Sequence, residues 1–461
     1  MRTLAIEIND AGIAVADATG VLAIEPGCAV VERGRIVTGT EAVAKARLKP
    51  RQASNRYWNA LSMEPGSAGS EIPNSAAEVA FAQLDGLWKR HGEGASDAVL
   101  VVPGSYRGEQ LGLVLGLAQE AGIQVRALVD TAAAASVRPY PGHQLLYVDA
   151  GLYRVAATLV EQTATDAFAR SEESLITTGL ASLMEAFARK ISELFVRATR
   201  FDPLHRAETE QALYDKLPSW LEQLGAQERV EATLAHHNEE LKTVLERDSV
   251  LAVAAGFYRA VVQLISYHRQ AGRSVVLQIA NRLATLPGFA AELARLDDTH
   301  VEPLAPGHAA RAVLLRPELI DAGNGQVKLL KRLAWRAPAA ELPTKTATAE
   351  PADRGSPRAV PTHVVYDGIV YPVGVRGLVV GREPVDGRRV IVIADQASGV
   401  SRAHCEIVLR DGELKLSDLS RFGTYVNEKK ISTETTLHRA DVIRIGSPGA
   451  ELQVVTLEAA E

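Results

Sequence analysis

Cysteine is nearly missing: the 461-residue chain has two, Cys28 and Cys405, far apart and outside any C-x-x-C or Cys/His spacing. That excludes a disulfide framework and a cysteine-based zinc site, and it points to a reducing compartment. Aromatic residues are scarce at 5%, so the cores must be built from aliphatic side chains and alanine. There is no excess of basic charge, since 50 Lys and Arg stand against 56 Asp and Glu for a formal net charge of -6. Such a chain lacks the broad positive field that releases counterions from a polyanion, so nucleic acid is not an expected partner. The opening MRTLAIEINDAG sets Glu7 and Asp10 where a signal peptide needs its apolar core, and no run is read as approaching 18 apolar residues. A soluble, cytoplasmic protein with no direct membrane insertion is expected. A Walker loop and a Ser/His/Asp ordering are likewise missing.

What is present is a composition near the globular average, 47% hydrophobic and 23% charged. At about 150 residues per domain, the length predicts roughly three units. The clearest boundary is 336–362, RAPAAELPTKTATAEPADRGSPRAVPT, where Pro338, Pro343, Pro351, Pro357 and Pro361 recur among alanine, threonine and charge. It reads as an extended linker. Beyond it, 363–461 is a succession of short alternating runs punctuated by Gly, Asp and Asn, the pattern of a β-sandwich or barrel. Before it, strand-like runs (TLAIEI, AVLVVP, LLYVDAG, SVVLQIA) alternate with helical stretches such as GEQLGLVLGLAQEAG. This predicts α/β architecture in two halves, 1–142 and 143–335. Leu213, Leu217, Leu221 and Leu224 set a helical period, and 203–270 is expected to be a helical insertion on the second half.

Three short pieces of the C-terminal region carry chemistry: Gly381-Arg382, Ser401-Arg402-Ala403-His404, and the run from Ser420 to Asn427. Arginine offers a fixed fork of donors to a phosphate dianion, and a serine hydroxyl adds a short donor. In this order and spacing the segment resembles a forkhead-associated (FHA) domain, a phosphothreonine-reading β-sandwich. The resemblance implies that Arg382, Ser401 and Arg402 bind the phosphate, with Arg421 as a further cation of the site. It implies supporting roles for Gly381, His404, Gly423 and Asn427. It also implies a threonine-phosphorylated partner and a Ser/Thr kinase that supplies it. One departure stands out: Phe422 occupies the place where the family usually has Asn, so peptide register is expected to be read differently or more weakly.

The N-terminal region has its own pattern. AVLVVPGSYRGEQ, with Gln110 on a helix after Val102-Pro103, is followed by a strand, Asp130 and an alanine-packed helix. LAIEINDAG, LLYVDAGLYRVAATLVE and VVLQIANRLATLPGFAAEL occur in an order similar to the two phosphate turns and the adenosine segment of the actin and DnaK-type chaperone superfamily. That resemblance implies a two-lobed ATPase fold around a nucleotide cleft. The chemistry of such a cleft needs glycine where backbone N–H groups approach phosphate. Here Asn9 and Asp10 stand in the first turn, Leu152, Tyr153 and Arg154 follow Gly151 in the second, and Ile279-Ala280 replaces paired glycines. Glu7, Asp149 and Gly151 remain as the matching positions. Asp10 puts a carboxylate where phosphate would lie, with no cation evident nearby. Glu7 and Asp149 are left as carboxylates for magnesium or as turn hydrogen-bonders. The expectation is a pseudo-ATPase with no catalytic residues and no required cofactor, ATP-magnesium being the one cofactor the resemblance raises.

Lesser features are read more plainly. His236 and His237, on an expected helix with Glu240, suit a solvated face better than a metal site. Cys405 resembles a buried hydrophobe, and Tyr57-Trp58 a core anchor. Thr344, Thr346 and Thr348 in the linker are candidate phosphosites within tether reach of the sandwich. The whole reads as a scaffold or adaptor. Two alternatives stay open: an active actin/DnaK-like ATPase regulated by phosphorylation, and a structural assembly protein whose FHA sandwich binds nothing.

Overall fold

The computed structural model of the chain describes residues 2–64, 75–176, 178–236, 239–270, 272–316, 319, 327, 329–340, 363–366, 369–374, 377–383, 390–393, 400–421, 423–427, 429–438, 441–446 and 450–455. The chain divides into two compact units, Met1–Lys345 and Thr346–Glu461.

In the first unit two six-stranded sheets repeat one order. The first runs Gly20–Glu25, Ile13–Asp17, Arg2–Glu7, Ala95–Val102, Val125–Asp130 and, at its edge, Leu329–Leu330. The second runs Asp166–Leu175, Val155–Gln162, Gln144–Ala150, Val275–Ile279 and Thr299–Pro303, with Arg332–Ala334 outside Asp166–Leu175. In each, the leading three strands are an antiparallel meander, and two later strands lie parallel to the first on its other side. Parallel neighbours need crossover connections, and helices such as Ala76–His91 and Gly108–Glu120 supply them. The central strands read as continuous apolar runs because both faces are covered: every residue of Val275–Ile279 is buried.

Local chemistry sets the helix ends. Ala76–His91 begins with a capping box between Ser75 and Glu78 and carries Lys89, Arg90 and His91 in its last turn. Its Val79, Ala80, Leu84 and Leu87 pack on Leu4, Ile6 and Leu100, each large side chain contributing about 2 kcal/mol of burial. Tyr57 and Trp58 are buried in the same core, and both donate to Gln83 Oε1, at 2.7 and 2.8 Å. A second core, with Phe187, Phe195 and Leu217, lies under the second sheet. A third joins the two sheets and is built mainly of alanine, including Ala5, Ala14 and Ala132 to Ala135. Small side chains there let helices and strands approach closely.

Three expectations are corrected. Residues 203–270 are not wholly helical: between the helix Ala207–Ala226 and a later helical stretch, Arg229–His236 and Glu239–Glu246 form an antiparallel hairpin. Val230, Ala232 and Leu234 are buried at a spacing of two, and that period prevails over the helix preference of the Glu and Lys between them. His236 therefore ends a strand, stacked 4.2 Å from Phe201, while His237 lies outside the described residues. Second, the 22-residue helical stretch Arg247–His268, with a mean hydropathy of 1.5 in its most apolar window, is long and apolar enough to cross a membrane. It packs Val250, Ala254, Val261 and Ile265 into the second core and turns Arg259, Gln263 and Ser266 outward, the pattern of an amphipathic surface helix. Third, the expected linker does not start at 336: Arg336 and Ala337 donate to the Val137 carbonyl and Ala340 to that of Pro139. Residues 341–362, with Thr344, Thr346 and Thr348, lie outside the described residues.

The second unit is a β-sandwich. One sheet contains Ile369–Pro372, His363–Tyr366, Ala450–Val455, Val442–Ile445, Thr424–Val426 and Lys429–Lys430, in that order. The other contains Val390–Val392, Leu378–Gly381, Cys405–Arg410, Glu413–Asp418 and Glu434–Leu437. Leu414 and Leu416 alternate with polar neighbours and face Val380, Ile407 and Ile443 in the core. Cys405 is fully buried among them, and burial raises its thiol pKa. Asp411 and Gly412, both at positive φ, turn the hairpin between Cys405–Arg410 and Glu413–Asp418.

Candidate functional site

In the sandwich, the motif segments meet at Ser401. Leu378–Gly381 ends where a Cβ on Gly381 would overlap the Arg402 carbonyl, so only glycine allows the two chains this close. Arg382 N–H donates to the Ser401 carbonyl at 3.1 Å, and Glu383 N–H to that of Arg402 at 3.3 Å. His404 is fully buried. Its Nδ1 accepts the Ser401 N–H at 3.0 Å, and its Nε2 lies 3.3 Å from the Gly423 carbonyl. This pattern puts the proton of a neutral ring on Nε2, and burial holds the imidazole pKa below its ordinary value. Arg421 N–H donates to Ser401 Oγ at 3.3 Å, so the serine oxygen is used as acceptor, and among the described residues its proton meets no acceptor.

Asp418 gathers the third loop, accepting from Ser420 N–H at 3.0 Å and Thr424 Oγ1 at 2.8 Å. Asn427, at φ 48°, donates to Asp441 Oδ1 at 2.7 Å and accepts from Val442 N–H at 3.0 Å. The Arg382, Arg402 and Arg421 side chains stand exposed around this framework. Arg402 Nε lies 3.4 Å from Glu383 Oε1. Three guanidinium-bearing residues about one serine hydroxyl suit a phosphate group. Phe422 lies outside the described residues. Asp418 and Glu383 were not singled out by sequence; the spacing of Asp418 before Ser420 was the available signal for the first.

In the first unit, Glu7 ends Arg2–Glu7, and Asp149 lies near the end of Gln144–Ala150. Arg282, on the short helix Asn281–Ala284, reaches both, with Nη2 2.7 Å from Glu7 Oε1 and Nε 3.4 Å from Asp149 Oδ1. Asn9 Nδ2 donates to Asp149 Oδ2 at 3.2 Å. Asp10 accepts the Leu152 N–H at 2.7 Å and lies where a Cβ on Gly151 would overlap it. The expectation of no cation near Asp10 is thus corrected, because Arg282 acts on it electrostatically. Burial raises the Glu7 pKa; Arg282 opposes that shift and Asp149 adds to it. Burial also raises that of Asp10, against the Leu152 hydrogen bond. Desolvation disfavours the Arg282 charge, yet Asp149, Glu7 and Tyr147 outweigh it and hold its pKa above the ordinary value.

A cavity of about 80 Å³ lies on the Asp149 side, lined by Asp10, Trp58, Tyr106, Gln110, Arg154 and Glu172 among others. Another of about 100 Å³ is lined by Glu7, Gly12, Asn281, Arg282 and His308 among others. Burial, aided by Asp130, pushes the Glu172 pKa up to about 7. Glu7, Asp149 and Gly151 do come together, but the space between the carboxylates holds a guanidinium and the glycine faces a carboxylate. These residues do not fit an ATP-magnesium complex. Among the described residues, no group of three or more His, Cys, Asp and Glu side chains is arranged to hold a metal ion.

Residues 378–446 match the family model described as the FHA domain. A search of curated proteins gives no match for the chain. The matched span contains all eight motif residues from Gly381 to Asn427, so the C-terminal unit carries an FHA domain, a module whose family role is phosphothreonine-peptide binding in protein–protein interaction.

Proposed function

We propose that the chain is a cytoplasmic adaptor whose FHA domain recruits a threonine-phosphorylated protein. The observation that carries this is the meeting of Arg382, Arg402 and Arg421 about Ser401, whose hydroxyl proton meets no acceptor among the described residues. A phosphothreonine dianion there would receive charge-assisted hydrogen bonds from rigid forks, and its second charge and third oxygen engage more of these donors than a carboxylate does. A Ser/Thr kinase supplies the ligand. For the first unit we infer a pseudo-ATPase body of actin/DnaK-like type, without enzymatic activity. The repeated sheet order supports the resemblance, and the Glu7–Arg282–Asp149 chain supports the loss of nucleotide chemistry. In this reading the body presents surfaces to partners and needs no cofactor to stay closed.

The test uses the full-length protein. Fluorescence anisotropy against phosphothreonine peptides should show binding that the unphosphorylated peptides lack and that Arg382→Ala removes. ATP-magnesium should leave the thermal midpoint unchanged, since only a ligand of the native state stabilises it. A rise of several degrees would replace the pseudo-ATPase with an active one. Failure of every phosphothreonine peptide would leave the structural assembly reading.

A further inference from the structure

The FHA site has one more cation that its motifs do not include. Lys430 lies on the edge strand Lys429–Lys430, paired across from Tyr425. Its side chain crosses Gly423: a Cβ built there would overlap the lysine stem and lie 2.8 Å from Nζ. Gly423, at φ 98°, is the residue whose carbonyl meets His404 Nε2. Two positions earlier is Arg421, whose N–H bonds Ser401 Oγ. From Gly423 to the serine oxygen the path is two residues and one hydrogen bond, at most about 10 Å.

The same face carries a second cation. Arg444 is paired across from Tyr425, and its guanidinium carbon sits 4.3 Å from the centre of that ring, a cation–π stack that holds the tyrosine between two basic residues. Lys430 is exposed and, among the described residues, has no hydrogen bond or ion pair. Arg402, in contrast, already has Glu383 beside it. Basic residues thus continue from the phosphate loops onto the sheet edge, with Glu451 paired across from Arg444, and among the described residues Lys430 has no carboxylate of its own.

We propose that Lys430 is a second anion contact of this site, so that its ligand is a threonine-phosphorylated peptide bearing another negative group two or three residues from the phosphothreonine. The spacing follows from an extended peptide advancing about 3.3 Å per residue. A carboxylate side chain and a second phosphate share the required chemistry. This inference rests on the phosphothreonine reading of Arg382, Ser401 and Arg402.

The experiment measures full-length protein against synthetic peptides with one phosphothreonine in an alanine-rich frame. Glutamate or phosphoserine is placed in turn at each of the neighbouring positions on either side. At low salt, wild type should bind the best glutamate peptide about threefold and the best phosphoserine peptide roughly tenfold more tightly than the neutral-flanked one. Lys430→Ala should remove these gains relative to the neutral-flanked peptide, Lys430→Arg should keep them, and high salt should shrink them. A glutamate gain without a larger phosphoserine gain would identify acidic segments as the source; the reverse would identify doubly phosphorylated ones. Equal binding of neutral and acidic peptides by wild type, or gains that survive in Lys430→Ala, would overturn the role of Lys430 alone. Failure of wild type to bind even the neutral-flanked phosphothreonine peptide would instead overturn the underlying reading.

Discussion

Arg282 Nη2 lies 2.7 Å from Glu7 Oε1, an ion pair between residues 275 positions apart that ties the first strand of one sheet to the helix after the fourth strand of the other. Glu7 is 2% exposed, so its charge has little water to fall back on. Arg282→Ala should strand it, costing about 3 kcal/mol. Arg282→Met with Glu7→Gln should cost less, since both charges leave together. All four tryptophans, Trp58, Trp88, Trp220 and Trp335, precede the linker, so tryptophan fluorescence during urea unfolding reports the first unit alone and checks the prediction.

Glu172 predicts a pH dependence. Its carboxyl is raised from an ordinary 4.5 to about 7, first by burial and next by Asp130, with Arg154 and Lys331 pulling the other way. A carboxyl with a higher pKa folded than unfolded binds its proton more tightly in the native state. Its contribution is full below pH 4.5 and is lost as pH rises through about 7. Glu172→Gln should therefore be the more stable protein above neutrality, by roughly 3 kcal/mol, and the difference should vanish toward pH 4.5. Urea midpoints of the two proteins across that window decide it.

Gly151 faces the carboxylate of Asp10. Gly151→Ala should destabilise the first unit by about 2 kcal/mol through overpacking. In an Asp10→Ala background the same change should cost much less. A double-mutant cycle read by thermal unfolding would show that coupling, and additive costs would mean the two residues do not compete for the same space.

Glu383 shares Arg402 with any bound phosphate. Both side chains are well exposed, 79% for Arg402 and 56% for Glu383, so the pair is weak. Glu383→Gln should strengthen phosphothreonine-peptide binding about twofold at low salt. Anisotropy titrations of the two proteins measure it, and weaker binding would show that Glu383 instead positions Arg402.

How much was legible followed the range of the interactions. The sandwich and its motif segments could be read because strand alternation has a period of two and each motif spans a few neighbouring positions. The hairpin at 229–246 carried the same alternation in Val230, Ala232 and Leu234, but helix-favouring Glu and Lys between them hid it. Gly381 and His404 were marked by type. Glu383, Asp418 and Lys430 were not, because an isolated acid or lysine acquires meaning only from the loop or strand brought beside it.

The cluster about Glu7 and Asp149 divides in the same way. The sequence alone determined that Asn9, Asp10, Leu152, Tyr153 and Arg154 put side chains into the turns about it, since residue identity decides whether a side chain fills a space. It also determined that the sandwich needs no broad positive charge, because a phosphate is met by a few local donors. Only the tertiary structure decided what stands between Glu7 and Asp149. Arg282 meets Glu7 because two sheets built from distant parts of the chain close on an alanine-rich core, and no local pattern records which charge that closure will bury.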